Sequence, residues 1–429
     1  MNEYILILVP IIVILVCFLI RVPIPFALLG AAVTYILMTG TSLSAVCDTV
    51  MGQLYSNSTL IAAPLFIFTA NVMMSSKISE YMYTFIKAIF GGKKGTTAYM
   101  NIFASLIFSG MSGSAVADVA GNGVMEIEEM KRDGYDMPFS CAVTAATAVI
   151  GPIFPPSIQM VIFAMLTGAS VGSLFLGGVV PALMLVIMFA VYVWYISRKR
   201  DYPRGPKYTM KEFLKFTWKA LPALGTPIIL LGGIYTGVVT TTESGVLAAF
   251  YGILISIFVY KVLGPKELIK AIKNTVIQSG IITASLASSF ALSYVTARSG
   301  MGVALANAVE GITTNPLVFM FLVNIVFIIA GMFVPTEIST FIITPLLIPI
   351  VNALGINMIY FGVVTSINII LGNVTPPFGF LCFTISGMTG VNLGKIFKEM
   401  MPMIIGMFIV LILLILFPNL ILFIPSMMG

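Results

Sequence analysis

Three long windows of this chain carry no Asp, Glu, Lys or Arg: residues 137–197, 338–394 and 400–429. About 20 consecutive apolar residues cross a bilayer as a helix, and two of these windows are about three times that long. Only 9% of all residues are charged, against about 25% in soluble domains. The chain therefore reads as an all-α polytopic membrane protein with room for about ten or more membrane elements. A soluble enzyme and a nucleic-acid binder are excluded, despite the net charge of +6.

Absences narrow the chemistry. There is no His, which removes imidazole catalysis and His-ligated zinc. Cys17, Cys47, Cys141 and Cys382 are scattered and form no C-x-x-C pair; they read as free core thiols. The stretch Gly91-Gly92-Lys93-Lys94-Gly95-Thr96-Thr97 lacks the spacing of a phosphate-binding loop, so ATP does not drive the chain directly. Residues 1–20 lack a basic n-region and a small-residue cleavage site, and read as the first span. The 27 methionines read as core filler.

Charge-poor segments predict elements at 4–20, 24–42, 58–76, 98–135, 139–167 and 173–197, then at 220–242, 245–262, 274–297, 316–353, 357–388 and 400–424. Segments 98–135 and 316–353 are too long for one span and hold Gly or Pro midway. They read as re-entrant helical hairpins that enter and return on one side. Segments 139–167 and 357–388 read as single spans with a central break. The stretch 198–219 holds eight Lys and Arg and reads as a cytoplasmic arm. Counting outward from it puts 21 of the 22 Lys and Arg in the cytoplasm, with Arg298 outside. Both termini are then periplasmic, the first hairpin opens inward and the second opens outward.

The chain also matches itself at an offset of 221 residues. Ser109-Gly110-Met111 aligns with Ala330-Gly331-Met332, and Gly151-Pro152-Ile153-Phe154-Pro155-Pro156 with Gly372-Asn373-Val374-Thr375-Pro376-Pro377. The halves, 1–197 and 220–429, enter from opposite sides, which makes an inverted-topology repeat. Proline inside a helix removes a donor and clashes with the preceding turn, at about 3 kcal/mol. Adjacent prolines beside Gly therefore unwind each span locally and free backbone carbonyls at mid-membrane depth. Lipid cannot satisfy such groups; protein, water or a cation can. The hairpin tips 109–114 and 331–336 add carbonyls and hydroxyls. Oxygen ligands without carboxylates suit a monovalent hard cation better than Zn²⁺ or Ca²⁺, and two repeats predict two sites with substrate between them. A plain structural kink is the alternative for either Pro-Pro pair taken alone.

At these residues the sequence resembles the large membrane subunit of TRAP (tripartite ATP-independent periplasmic) transporters, the DctM-type permeases. The matching stretches are Ser109-Gly110 through Asp118-Val119-Ala120-Gly121, Gly151 to Ser157, Thr240-Thr241-Thr242-Glu243-Ser244, and Gly372 to Phe378. Thr241 stands where the family often has Pro. The resemblance implies an elevator-type member of the ion transporter superfamily, coupled to Na⁺ and residing in the bacterial inner membrane. It implies a separate small four-helix membrane subunit, a periplasmic substrate-binding protein, and an organic acid substrate such as sialic acid or a C4-dicarboxylate. Carried over by position, sodium site 1 uses Ser112, Gly151, Phe154 and Pro156, with Gly110 as the repeat partner of Gly331. Sodium site 2 uses Gly331, Gly372, Thr375 and Phe378.

Substrate candidates are Arg298, Ser114, Asp118 and Ser157. Arg298 fits a carboxylate by its bidentate guanidinium; a charge favoured at a helix C-terminus is the equal alternative. Asp118 closes a polar network or is a satisfied buried acid. Ser114, like Ser112, has the local alternative of bonding its own helix backbone. Glu243 and Glu337 are alternative docking contacts for the binding protein. A stand-alone sodium-coupled carboxylate symporter or antiporter on the same scaffold is the other transport reading. An intramembrane enzyme lacks a nucleophile–base pair or carboxylate cluster in the charge-free windows.

Overall fold

The computed structural model describes residues 3–20, 22–56, 59–75, 78–300, 304, 309 and 311–427. Arg21 and Lys77, counted above with the cytoplasmic basic residues, lie outside the described residues, as do the ends of the predicted span 58–76. The first half holds α1 (Glu3–Leu19), α2 (Ile24–Thr39), α3 (Leu43–Ser56), α4 (Thr59–Ser75), α5 (Ile78–Phe90) and α6 (Thr96–Ser112). It continues through α7 (Ala115–Asp118), α8 (Val124–Arg132), α9 (Met137–Thr147), α10 (Ile158–Thr167) and α11 (Val171–Lys199). The second half holds α12 (Met210–Tyr235), α13 (Thr241–Leu254), α14 (Pro265–Arg298), α15 (Pro316–Phe333) and α16 (Thr336–Ala353). It ends with α17 (Met358–Gly372), α18 (Phe380–Thr389), α19 (Leu393–Leu416) and α20 (Asn419–Ser426). Among the described residues, seven helices are long and apolar enough to cross a membrane. The chain is a multi-pass membrane protein.

The 221-residue shift carries one half onto the other. It takes the end of α8 to the end of α16, and the start of α9 to the start of α17. It takes Gly113-Ser114, which joins α6 to α7, onto Val334-Pro335, which joins α15 to α16. Pro181 inside α11 lands on Pro402 inside α19. The halves also differ: α3 and α4 diverge by 60°, whereas their counterpart α14 runs unbroken for 34 residues.

Hydrogen bonds show that α6 runs antiparallel to α7 and α8. Gly113 N–H donates to Ser109 at 3.2 Å, Ser105 to Asp118 at 3.1 Å, and the Thr97 hydroxyl to Asp133. A π-helical stretch, Val119–Gly123, joins α7 to α8.

The helices that lead into the two breaks are buried over most of their length. Phe139 through Thr147 of α9 and Tyr360 through Gly372 of α17 are all buried. Small residues such as Ser140, Ala142 and Ala145 suit close helix packing where lipid removes the hydrophobic incentive, and Gly362 makes room for the Phe163 ring, 2.4 Å from where a Cβ would stand. The Phe163 and Phe361 rings meet across the halves at 6.0 Å. One asparagine joins α6 to α9, and another joins α15 to α17. Asn101 of α6 donates to Thr144 at 2.7 Å and accepts from Thr147 at 2.6 Å. Asn368 of α17 donates to the Asn324 carbonyl at 2.6 Å. Interhelical bonds of this kind contribute about 0.6–2 kcal/mol. Asn101→Ala, which removes two of them, is expected to cost about 1–2 kcal/mol, read as a lower unfolding midpoint in detergent at unchanged expression.

Candidate functional site: two helix breaks against two helix turns

Gly151 with Pro152, Pro155 and Pro156 stops α9 from continuing into α10, because prolines supply no N–H to the ladder. The same happens at Pro376 and Pro377 between α17 and α18. Both Pro-Pro bonds are cis.

In the first break the carbonyls of Gly151 and Phe154 lie 3.0 and 3.1 Å from the Ser109 hydroxyl, and that of Ile150 lies 3.4 Å away. One hydroxyl carries one proton, so Ser109 satisfies one carbonyl at a time. The Ile150 carbonyl also accepts from the N–H groups of Ile153 and Phe154. The turn after α6 sits directly on the break. A Cβ on Gly113 would stand 2.3 Å from the Pro156 carbonyl oxygen, and one on Gly110 3.9 Å from that of Pro155. Gly113 has φ +59°, so glycine serves there for conformation as well as space. The Ser112 hydroxyl is buried and has no hydrogen-bond partner. Gly110, Gly151, Phe154 and Pro156 thus lie around the turn that ends α6, which also carries Ser112. Ser109 was not singled out, although it stands in the quoted motif.

In the second break Gly331 of α15 and Gly372 of α17 interlock. A Cβ on Gly331 would stand 2.4 Å from the Ile369 carbonyl oxygen, and one on Gly372 2.6 Å from the carbonyl carbon of Gly331. Thr375 donates its N–H to the Gly372 carbonyl at 3.0 Å and its hydroxyl to the Leu371 carbonyl at 2.7 Å. The Asn373 side-chain oxygen is buried without a partner. The Phe378 ring is exposed and lies beside Phe333 and Phe383, so only its backbone is available to the break. The hydroxyls swap sides between the halves. Ser109 and Ser112 come from the turn in the first, where the second has Ala330 and Phe333; Thr375 comes from the break in the second, where the first has Phe154.

Hydroxyl and carbonyl oxygens without a carboxylate would suit a small monovalent cation better than a multivalent one, and the unpartnered Ser112 oxygen would be free to ligate it. Among the described residues, no group of three or more His, Cys, Asp or Glu forms a multivalent metal site.

A cavity of about 910 Å³ adjoins both turns. Ser112, Ser114 and Ala117 line it from the first hairpin, and Glu337, Ile338 and Phe341 from α16. Its far wall comes from α2, α4 and α14, which contribute the polar groups Asn71, Gln278, Ser285 and Ser288. Among the described residues, no Lys or Arg lines it. Of the four predicted substrate residues, only Ser114 reaches the cavity, and its hydroxyl also caps α7 by accepting from Ala117 N–H at 3.4 Å. Arg298 is exposed at the last turn of α14, about 15 Å along the helix from Ser288. Asp118 is buried and accepts from Ser105 and Asn122 at 3.1 and 3.3 Å. Ser157 caps α10, accepting from Met160 N–H at 3.1 Å and donating to the Pro152 carbonyl. The far wall was not legible from sequence, because α4 and α14 carry no motif that marks them.

The fold is that of the YdaH transporter of Alcanivorax borkumensis, whose crystal structure aligns with TM-score 0.59 at 14% identity over 88% of this chain and 89% of that one. The sialic acid TRAP transporter large permease protein SiaM of Vibrio cholerae is 32% identical over 94% of this chain and 95% of its own length. The C4-dicarboxylate TRAP transporter large permease protein DctM of Pseudomonas aeruginosa is 32% identical over 86% and 87%. The isethionate TRAP transporter permease protein DctMQ of Oleidesulfovibrio alaskensis is 31% identical over 82% of this chain and 56% of its own length. Residues 11–420 match the family described as the DctM component of tripartite ATP-independent periplasmic transporters, and the chain belongs to that family: it is a TRAP large permease, a transporter component and not an enzyme.

Proposed function

We propose that this permease imports a small organic acid, of the sialic acid or C4-dicarboxylate class, driven by the inward movement of two sodium ions with it. The observation that carries this reading is the pairing of each helix break with a hairpin turn, with the unpartnered Ser112 hydroxyl between the first break and the cavity. Site 1 takes Ser112, Gly110 and the carbonyls of Gly151, Phe154 and Pro156, with Ser109 added. Site 2 takes Gly331, Gly372, Thr375 and the backbone of Phe378. The relatives named above are named for sialic acid, C4-dicarboxylates and isethionate, all anions. The described lining holds no basic side chain, so bound cations would supply the positive charge that favours an anion there, which makes sodium a condition for substrate binding in this reading.

In this reading the breaks, both hairpins and the bound acid move as one body against α1, α2, α12 and α13. The hairpins are re-entrant, the termini face the periplasm, and the protein sits in the bacterial inner membrane. A small four-helix subunit braces the static part, and a periplasmic binding protein delivers the acid. Two Na⁺ moving with one monoanion gain about 5 kcal/mol from a tenfold gradient and 100 mV, enough for several-thousand-fold accumulation. Reconstituted uptake with the small subunit and binding protein tests this: replacing Na⁺ by K⁺ outside is expected to abolish uptake, and equal uptake in both salts would refute it. Arg298 lies outside the cavity lining, so Arg298→Gln is expected to leave the apparent KM within about threefold. A much larger rise would make it a substrate anchor after all.

A further inference from the structure

The stretch Gly91-Gly92-Lys93-Lys94-Gly95, which is not a nucleotide loop, pairs with the connecting arm. Lys94 and Arg204 form an antiparallel bridge. Gly92 N–H donates to Gly205, and Gly205 N–H to Lys93, both at 3.2 Å. The glycines allow this approach: a Cβ on Gly91 would stand 2.8 Å from the Pro206 carbonyl oxygen, and one on Gly205 2.6 Å from the Thr96 side chain. The pairing walls a recess of about 770 Å³ at the basic end of α11. Lys93, Lys94, Arg198 and Arg204 line it, beside the rings of Tyr99 and Trp194. Lys94 is paired with Asp201, but no ion pair among the described residues engages Lys93, Arg198 or Arg204. Arg198 lies over the Trp194 ring at 4.2 Å, and Lys93 over Phe90 at 5.5 Å. Three cations without a direct ion pair in one recess suit an anion with several acceptor oxygens, which a phosphate provides.

What lies beside the recess chooses between phosphates. Leu183, Ile187 and Val191 are exposed at four-residue spacing along α11, and the stripe runs on to the exposed Trp194. That is one helix face, apolar for its length and ending in a tryptophan and an arginine, the order found from acyl region to headgroup. We propose that the recess binds the phosphate of an anionic phospholipid of the cytoplasmic leaflet, with its acyl chains along this face of α11. Free phosphate would satisfy the cations but leave the apolar track without a role.

Trp194 reports on the site, since only Trp218 accompanies it in the sequence. Trp218 is exposed on α12 and does not line the recess, so Trp218→Phe leaves one fluorophore. In phosphatidylcholine vesicles, phosphatidylglycerol with brominated chains is expected to quench Trp194 at several-fold lower mole fraction than brominated phosphatidylcholine. Adding Lys93→Gln and Arg204→Gln is expected to lower that preference about fivefold for each charge removed. Raising the ionic strength over the unaltered recess is expected to weaken it too, which keeps the test open if the double variant fails to fold. Equal quenching by the two lipids, or a preference indifferent to salt, would overturn the proposal. So would abolition of the preference by inorganic phosphate, which would assign the recess to a soluble anion.

Discussion

Gly372→Ala is expected to lower sodium-driven uptake about 100-fold, since a misplacement near 1 Å at a functional site has that order of effect. The added methyl would stand 2.6 Å from the Gly331 carbonyl carbon, 2.7 Å from its Cα and 2.9 Å from the Ile328 carbonyl oxygen. All three are backbone atoms, so no side chain can swing aside. Helix α15 must retreat from α17 by the better part of an ångström, at a cost of about 1–3 kcal/mol. The retreat opens the junction where the second turn meets the second break, and the carbonyl geometry proposed for sodium goes with it. Gly387→Ala supplies the control. It lies within α18, where an added Cβ meets nothing within 4 Å, and alanine favours the helix by about 0.5–1 kcal/mol. Uptake by that variant is expected to stay within about twofold of the parent. Normal uptake by Gly372→Ala would mean that the close approach of the two glycines has no part in transport.

Ser112→Ala separates an ion ligand from a merely buried hydroxyl. Removing a hydroxyl that holds a hydrogen bond destabilises, whereas removing one that is buried and unpartnered relieves a desolvation penalty of about 1–3 kcal/mol. Ser112 is of the second kind. The variant is therefore expected to be at least as stable as the parent in sodium-free buffer. The sodium concentration for half-maximal uptake is expected to rise about tenfold, the order of one lost charge-assisted contact. Transport would suffer while the fold gained. An unchanged sodium response together with higher stability would remove Ser112 from site 1 and leave its oxygen without a function.

The sequence made the two breaks legible because proline acts locally: it forbids the ladder wherever it stands, whatever surrounds it. The turns at Gly113 and Val334 were legible because the 221-residue offset repeats them. The helices α3 and α5 were not, because their windows hold polar and charged residues such as Asp48, Glu80 and Lys87, and hydropathy reads such windows as loops. The same cause cut α14 short at 274, while the helix begins at Pro265 with Lys266, Glu267 and Lys270 inside it. It also hid that α12 begins at Met210, within the arm assigned to 198–219. Ser109 escaped because its role depends on which carbonyls converge on it, a long-range fact that its place in a motif does not carry. Arg298 drew attention as a lone outward charge, yet charge by sidedness gives no distance to a cavity.

Equilibrium binding of radiolabelled sodium to the purified chain, with excess K⁺ as background, tests most directly whether the broken helices hold an alkali ion. Saturable binding of two ions per chain is expected, weakened by Ser112→Ala and by Gly372→Ala, each acting on its own site. No saturable sodium binding above the K⁺ background, or binding indifferent to both substitutions, would contradict the account.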